Sequence, residues 1–403
     1  MPAHKWQFSA RFRRGAFGWK SQPPIARIKE ALAEIKLVAR KEPVFAAEGA
    51  VSFLVKLSPA LEQVDGSSGA MGSAVGHAIE TLVRLIAAAE VDQAVRQNWL
   101  ERLWQAIQDD EIPYLESLGD FWGELCATPQ LASSWADRFG PSVVAAWSPT
   151  AAGYGYFNGT GACFSALFAA GRYEAILSLL DMAHHKFWYE RRWGVKALVA
   201  MGRHEQAVAY AEASRGLNAP VAAIAASCEE ILLSIGLTDR AYTLYAGDAN
   251  QSTTNLATFR AIVKKYPGKP AETILRDLVA KHPGQEGKWF AAAKHAGLRA
   301  LALEFADQSP ADPRTLIRAA QEYAAEDPGF ALSAGTIALR DMARGHGYEI
   351  TAREILDAYS AIMLAATAAG VGEAEMKATV LTLIAAPQAG GFVRKVLAMN
   401  LCQ

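Results

Sequence analysis

The sequence predicts an all-α protein, an α-solenoid of antiparallel helical hairpins with helical segments at both ends, and three observations predict it. Apolar residues recur at helical rather than alternating spacing along nearly the whole chain. A glycine corner recurs in "AAGRYEAILSLL" at Gly171, "VAMGRHEQAVAYAEA" at Gly202, "SIGLTDRAYTLYA" at Gly236 and "KHAGLRALALEFA" at Gly297, at spacings of 31, 34 and 61 residues. The 403 residues, 51% of them hydrophobic, suffice for one extended array or two to three ordinary domains. An ordinary helical bundle with coincidental loops is the alternative.

The first residues hold the one short alternating pattern, with Trp6, Phe8, Ala10 and Phe12 separated by polar or basic residues. Pro23 and Pro24 then open a helix on which Ile25, Ile28, Leu32, Ile35 and Val38 share one face. Pro43 opens a second through about Leu57, "GSSG" from Gly66 to Gly69 interrupts, and a third runs from about Ala70 to Ala89. "DQAVRQNWLERLWQAIQDDE" keeps the helical period. The window "FGPSVVAAWSPTAAGYGYFNGTGACF" collects Pro141, Pro149, Gly153, Gly155, Gly159 and Gly161, and is the expected domain boundary.

The hairpins follow. Glycine takes the left-handed conformation that closes one helix, and five positions later a small residue, Ala207, Ala241 or Ala302, lets two helices approach. At Gly171 the alanine comes one position early, as Ala175, which implies a shifted copy or a tighter turn. The interval of 61 residues predicts a diverged copy in "KKYPGKPAETILRDLVAKHPG". From "QSPADPRT" onward at least three more helices are expected, the clearest opening at the capping box Thr351 to Glu354. The domain reading is an arm over 1–22, an N-terminal helical domain over 23–148, helical repeats over 149–308 and a C-terminal helical domain over 309–403.

Charge is unevenly placed. The formal net charge is −1, yet residues 1–41 carry ten Lys or Arg against two Glu. Within "KWQFSARFRRGAFGWKS", Lys5, Arg11, Arg13, Arg14 and Lys20 interleave with Trp6, Phe8, Phe12, Phe17 and Trp19, and Lys29, Lys36 and Arg40 extend a basic stripe along the next helix. Rings that stack on bases beside cations that pair with phosphates make a nucleic-acid groove one reading. A second is an arm whose rings pack on its own helices and whose arginines meet acidic partners such as "DDEIPYLESLGDFWGE", and a third is an arm that docks on another molecule.

Catalytic and cofactor signals fail on chemistry. "GYGYFNGTG" lacks the third glycine of a dinucleotide fingerprint, since Asn158 stands there, and lacks the Gly-Lys-Ser/Thr of a phosphate loop. His184 and His185 are adjacent and so diverge by about 100° on a helix, which no single metal can bridge. Cys126, Cys163, Cys228 and Cys402 lie far apart and read as thiols in a reducing compartment. Asp120 and Glu124 stand one turn apart and read as surface charge. No enzyme activity, cofactor, metal or membrane partner is expected, and with no apolar run near the ~18 residues of a membrane span the expected location is cytoplasmic. Phe187, Trp188, Tyr189, Arg191, Arg192 and Trp193 form a dense aromatic and basic run of the types enriched at interfaces, and are the candidate partner-binding residues.

"GRHEQAVAYAEA", with Gly202, Ala207 and Tyr210 in place, resembles the junction between the two helices of a tetratricopeptide repeat, over about Gly161 to Asp307. The resemblance implies a superhelical scaffold that holds a peptide or partner protein in its concave face. It implies no catalysis. The full-length chain is also similar to uncharacterised bacterial helical proteins, which implies no activity either. The expected function is a protein-interaction scaffold, with nucleic-acid binding by the basic arm as the alternative.

Overall fold

The computed structural model describes residues 4–148, 155–216, 219–385 and 390–401. Among these the regular structure is entirely helical, 22 α-helices and two 3₁₀ segments. The chain divides into two compact units, 1–220 and 221–403. This division falls inside the segment expected to be one repeat array. The Pro141 to Gly161 window lies instead within the first unit, where Pro141 is part of a continuous helix and the Gly155 N–H donates to the Ala146 carbonyl at 2.7 Å. Pro149 and Gly153 lie outside the described residues.

The first unit contains α1 (Phe8–Arg11), α2 (Gln22–Ala39), α3 (Pro43–Leu61), α4 (Ala70–Ala88), α5 (Gln93–Gln108), a 3₁₀ segment (Glu116–Phe121), α6 (Trp122–Cys126), α7 (Pro129–Trp147), α8 (Thr160–Ala169), α9 (Tyr173–Met182), α10 (Trp188–Ala200) and α11 (His204–Glu212). Helix α3 is by length and composition apolar enough to cross a membrane, and it is packed into the core of this unit along most of its length, from Ala46 to Leu61. Helix α2 presents Ile28, Ala31, Leu32 and Ile35 to α3 and α4. The alternating arm is not a strand. Phe8 and Phe12 are buried on one helical turn, and both rings meet Phe53 edge-on at 5.2 and 4.9 Å. Isolated edge pairing would leave the arm's backbone unsatisfied, whereas a helical turn satisfies it locally while two rings enter the core.

Further along, Trp99, Trp122, Trp135 and Phe139 are fully buried. Arg96 is buried and, among the described residues, has no carboxylate partner. Its guanidinium donates to the Ile86 and Ala89 carbonyls at 2.5 Å each and so closes the C-terminus of α4, where the helix dipole favours a cation.

The second unit contains α12 (Val221–Ser234), α13 (Thr238–Ala249), α14 (Asn255–Lys265), α15 (Ala271–Ala280), a 3₁₀ segment (Glu286–Trp289), α16 (Phe290–His295), α17 (Arg299–Gln308), α18 (Pro313–Tyr323), α19 (Pro328–Ala343), α20 (Ala352–Ala368), α21 (Glu373–Ala385) and α22 (Gly391–Leu401). Most helices pack chiefly on their neighbours in the chain, and alternate helices also meet, α14 on α16, α17 on α19 and α18 on α20. This is the packing of a solenoid of helical hairpins.

The glycine corners are one structure repeated. At Gly171, Gly202, Gly236 and Gly297 φ lies between 71° and 78°. At each, two backbone bonds turn the chain: for example the Gly202 N–H reaches the Val199 carbonyl at 2.9 Å and the Arg203 N–H the Leu198 carbonyl at 2.8 Å. These are Schellman corners, and the same pair of bonds recurs at Gly345 and Gly370. The next helix always starts two residues on, at Tyr173, His204, Thr238 or Arg299. The Gly171 copy is therefore not shifted. The buried position five residues on is simply Ile176 there, where Ala207, Ala241 and Ala302 stand in the others. The diverged copy is α14 and α15, joined through Tyr266 to Pro270.

Successive hairpins are laced by polar pairs about one repeat apart. They include Arg203 with Glu174 at 2.7 Å, Lys269 with Asp239 at 3.0 Å, Arg276 with Glu304 at 3.0 Å, Lys294 with Glu322 at 2.5 Å and Arg299 with Asp327 at 3.0 Å. One fastening is internal. Glu229 on α12 is 0% exposed and accepts from Asn250 Nδ2 at 2.8 Å, Lys265 Nζ at 2.6 Å and Tyr266 Oη at 2.7 Å, which ties α12 to the ends of α13 and α14.

Candidate partner-binding groove

Helix α10 carries the predicted aromatic and basic run, and its period sorts that run into two sets. Arg191 and Trp193 are buried. Arg191 donates from Nε to Ser214 Oγ at 2.6 Å and stacks 3.7 Å from the centre of the Tyr210 ring, so it pins α10 to α11. It is a packing residue and drops out of the candidate contact set. Phe187, 56% exposed, lies before the helix against His185, and Trp188 is half-buried. Tyr189, Arg192, Trp193 and, one turn on, Lys196 line two adjoining hollows.

The larger hollow encloses about 560 Å³ between α4 (Gly76, Glu80), the 3₁₀ segment (Ser117, Asp120, Phe121), α6 (Gly123, Glu124), α8 (Ser165, Phe168, Ala169) and α10 (Arg192, Trp193, Lys196). The smaller, about 380 Å³, shares Ser117 and Asp120 with it and continues past Glu116, Asn158 and Tyr189. Together they form one groove. Its floor depends on Gly123, where a Cβ would stand 2.4 Å from the Ser165 carbonyl, so only glycine lets α6 lie this close to α8.

Charge in the groove is asymmetric. Arg192 pairs with Asp120 at 2.5 Å and donates from Nε to the Tyr189 carbonyl at 2.9 Å. The Lys196 ammonium lies 4.3 Å from the centre of the Trp193 indole. Both cations are thus engaged. Glu80 and Glu124 are exposed and, among the described residues, make no ion pair. Next to Tyr189 in the chain, burial pushes the Glu190 carboxyl up to about 7. The Tyr189 hydroxyl is raised by burial and then by the carboxylates of Glu190, Glu116 and Asp120. Trp193 is 3% exposed, and its indole N–H has no acceptor among the described residues.

The glycine window does not cradle an anion. At Gly161, in the first turn of α8, a Cβ would lie 3.2 Å from Asp120 Oδ1, so a carboxylate already occupies the end a phosphate would seek. A Cβ at Gly159 would strike the Phe157 ring at 2.5 Å, so that glycine serves packing.

The basic arm divides as well. Trp6 stacks on Phe45 at 5.2 Å over Gly49, Phe8 and Phe12 are core residues, and Phe17 is half-buried against Phe12. Arg11 pairs with Glu30, and Arg14 with Glu62 at 2.9 Å. Arg14 also reaches Glu111 of the acidic stretch at 4.0 Å. Trp6 and Phe12 therefore leave the nucleic-acid set as packing residues, and Arg11 and Arg14 are engaged internally. Trp19 is 73% exposed, and Lys5, Arg13, Lys20, Lys29, Lys36 and Arg40 are exposed and make no ion pair among the described residues.

Elsewhere, Cys126 and Cys163 are buried free thiols pushed up to about 12 by burial, and Cys402 lies outside the described residues. His184 and His185 meet ring edge to ring at 4.5 Å on the exposed loop before α10, and no cluster of three metal-ligand side chains occurs among the described residues. In the second unit a hollow of about 300 Å³ is lined by Tyr242, Asp277 and Lys281, with Tyr242 Oη donating to Asp277 at 2.6 Å.

Neither protein-family models nor curated proteins give a match to this chain. Sequence reading missed Glu80, Phe168 and Lys196. Lys196 sits one turn past Arg192 and carried a periodic signal, whereas Glu80 arrives from a helix far back in the chain and carried none.

Proposed function

We propose that this protein is a non-enzymatic interaction scaffold that holds a peptide or a segment of a partner protein in the groove between α4, α6, α8 and α10. The observation that supports this reading is the continuity of the two hollows across four packed helices, with aromatic walls and charged rims. An elongated, open furrow suits an extended ligand better than a small substrate. Tyr189, Arg192 and Trp193 supply the contacts on α10, and Arg191 supports them from behind.

A direct test is panning of a random peptide display library on the full chain beside a Gly76→Trp variant. Gly76 lines the groove, and a Cβ there meets no atom within 4 Å, so the indole fills the furrow without disturbing the core. Peptides selected on the wild type are expected to lose at least tenfold in affinity on the variant. Equal binding to both proteins would remove the proposal.

A second reading, nucleic-acid binding, keeps one supporting observation, the exposed cations of α2 and the arm. With most rings packed inside, it reduces to phosphate contacts, whose mark is steep salt dependence. Reversing Lys29, Lys36 and Arg40 to Glu is expected to abolish any retention on DNA or RNA if this reading is correct.

A further inference from the structure

We infer that the ligand of this groove is a cationic peptide segment, whose Lys or Arg side chains pair with Glu80 and Glu124 beside the wall of Phe168 and Trp193. The inference rests on the scaffold reading above and adds the chemistry of the partner. Its basis is an inventory of charge. The groove's own cations are already engaged, Arg192 by Asp120 and the Tyr189 carbonyl, Lys196 on the Trp193 ring. The two carboxylates on α4 and α6 have no ion-pair partner among the described residues, so the unbalanced charge facing solvent is negative. An acidic or phosphorylated ligand would meet these carboxylates without a free cation to offset them, and like charges brought together cost binding energy.

Two further observations point the same way. Lys196 covers one face of the Trp193 indole, which directs an incoming cation to the carboxylates rather than to that ring. The Trp193 side chain lines the groove, and its N–H, buried without an acceptor among the described residues, is a donor that a peptide carbonyl would satisfy once the indole shifts to meet it. A free metal ion or inorganic cation would leave that donor unmet.

The test is fluorescence anisotropy with three labelled peptides of equal length, in which Leu alternates with Lys or Arg, with Glu, or with Ser. The full chain is titrated at low and at physiological salt. The cationic peptide is expected to bind at least tenfold more tightly than the other two. Glu80→Gln with Glu124→Gln is expected to remove that advantage, and Glu80→Lys with Glu124→Lys to transfer it to the acidic peptide. Both glutamates are exposed, so an unchanged thermal transition confirms that the variants fold. Peptides that need the groove, as judged by Gly76→Trp, but carry no excess of Lys or Arg would overturn the inference and leave the scaffold intact. A groove ligand that proves to be a second copy of the chain, seen as self-association abolished by Gly76→Trp, would also overturn it. No groove-dependent peptide of any kind would end both readings.

Discussion

Replacing Glu229 with Ala removes the carboxylate on which three helices of the second unit converge. The cost can be assembled from its partners. Tyr266 is buried and loses the acceptor of its hydroxyl, which is worth about 1–3 kcal/mol. Asn250 Nδ2 keeps a second acceptor, the Ala246 carbonyl at 2.8 Å, so its share is about 0.5 kcal/mol. The Lys265 side chain is 39% exposed and returns its ammonium to water, which spares the penalty of a stranded buried charge. The total is about 1.5–3.5 kcal/mol, before any collapse around the truncated side chain. Glu229→Gln keeps an acceptor for Tyr266 and is expected to cost about 1 kcal/mol. Urea unfolding followed by far-ultraviolet circular dichroism reads both, with Tyr266→Phe added to close a double-mutant cycle in which Glu229 and Tyr266 couple by at least ~1 kcal/mol. If Glu229→Ala costs less than ~1 kcal/mol, or no more than Glu229→Gln, the carboxylate does not fasten the three helices and the reasoning fails.

Other outcomes follow from the same geometry. Gly202→Ala, at φ 75° with nothing within 4 Å of the new methyl, is expected to lower stability by about 1 kcal/mol through the backbone alone, measured as a shift in urea midpoint at constant slope. Gly49→Ala would place a methyl 2.2 Å from the Trp6 ring, so it is expected to lift the arm and speed trypsin cleavage at Arg11, Arg13 and Arg14, with the main unfolding transition little changed. Glu190 holds its proton more tightly folded, up to about 7, than unfolded, so it lowers stability as pH rises from about 4.5 to about 7, with no further loss above that. Glu190→Gln is therefore expected to gain on the wild type across that range, by about 1–2 kcal/mol at pH 8 once solvent screening of this half-buried group is allowed for. The neighbouring Tyr189 and Tyr156 hydroxyls, both raised by burial, stay neutral over this window, and a gain already present at pH 4 would contradict the assignment.

The fold was legible where local chemistry forces one answer. A corner at φ near 75° admits glycine almost alone, so Gly171, Gly202, Gly236 and Gly297 could be read directly, and Thr351 with Glu354 announced a helix start that the Thr351 N–H to Glu354 bond at 2.8 Å realises. Legibility ended where long-range packing decides. Pro141 signals a break, yet the helix runs through it because its flanking turns bury Trp135, Phe139 and Val143. Gly345 and Gly370 make the same corners but lack the spacing that drew attention to the others. On α10, Arg191 and Arg192 are indistinguishable as letters, and only the three-dimensional period sends one to Tyr210 and the other to Asp120. The arm's rings looked available for stacking on bases because sequence shows their type and not that Phe53 lies beneath them.

The lacing between hairpins carries a mechanical consequence. Its ions stand in water, while the apolar seam beneath them does not. Added electrolyte weakens the first and spares the second. Within each unit, ionic strength should thus govern how readily one hairpin tilts on the next well before it affects whether the stack survives, which makes compliance and cohesion separately adjustable properties of this chain.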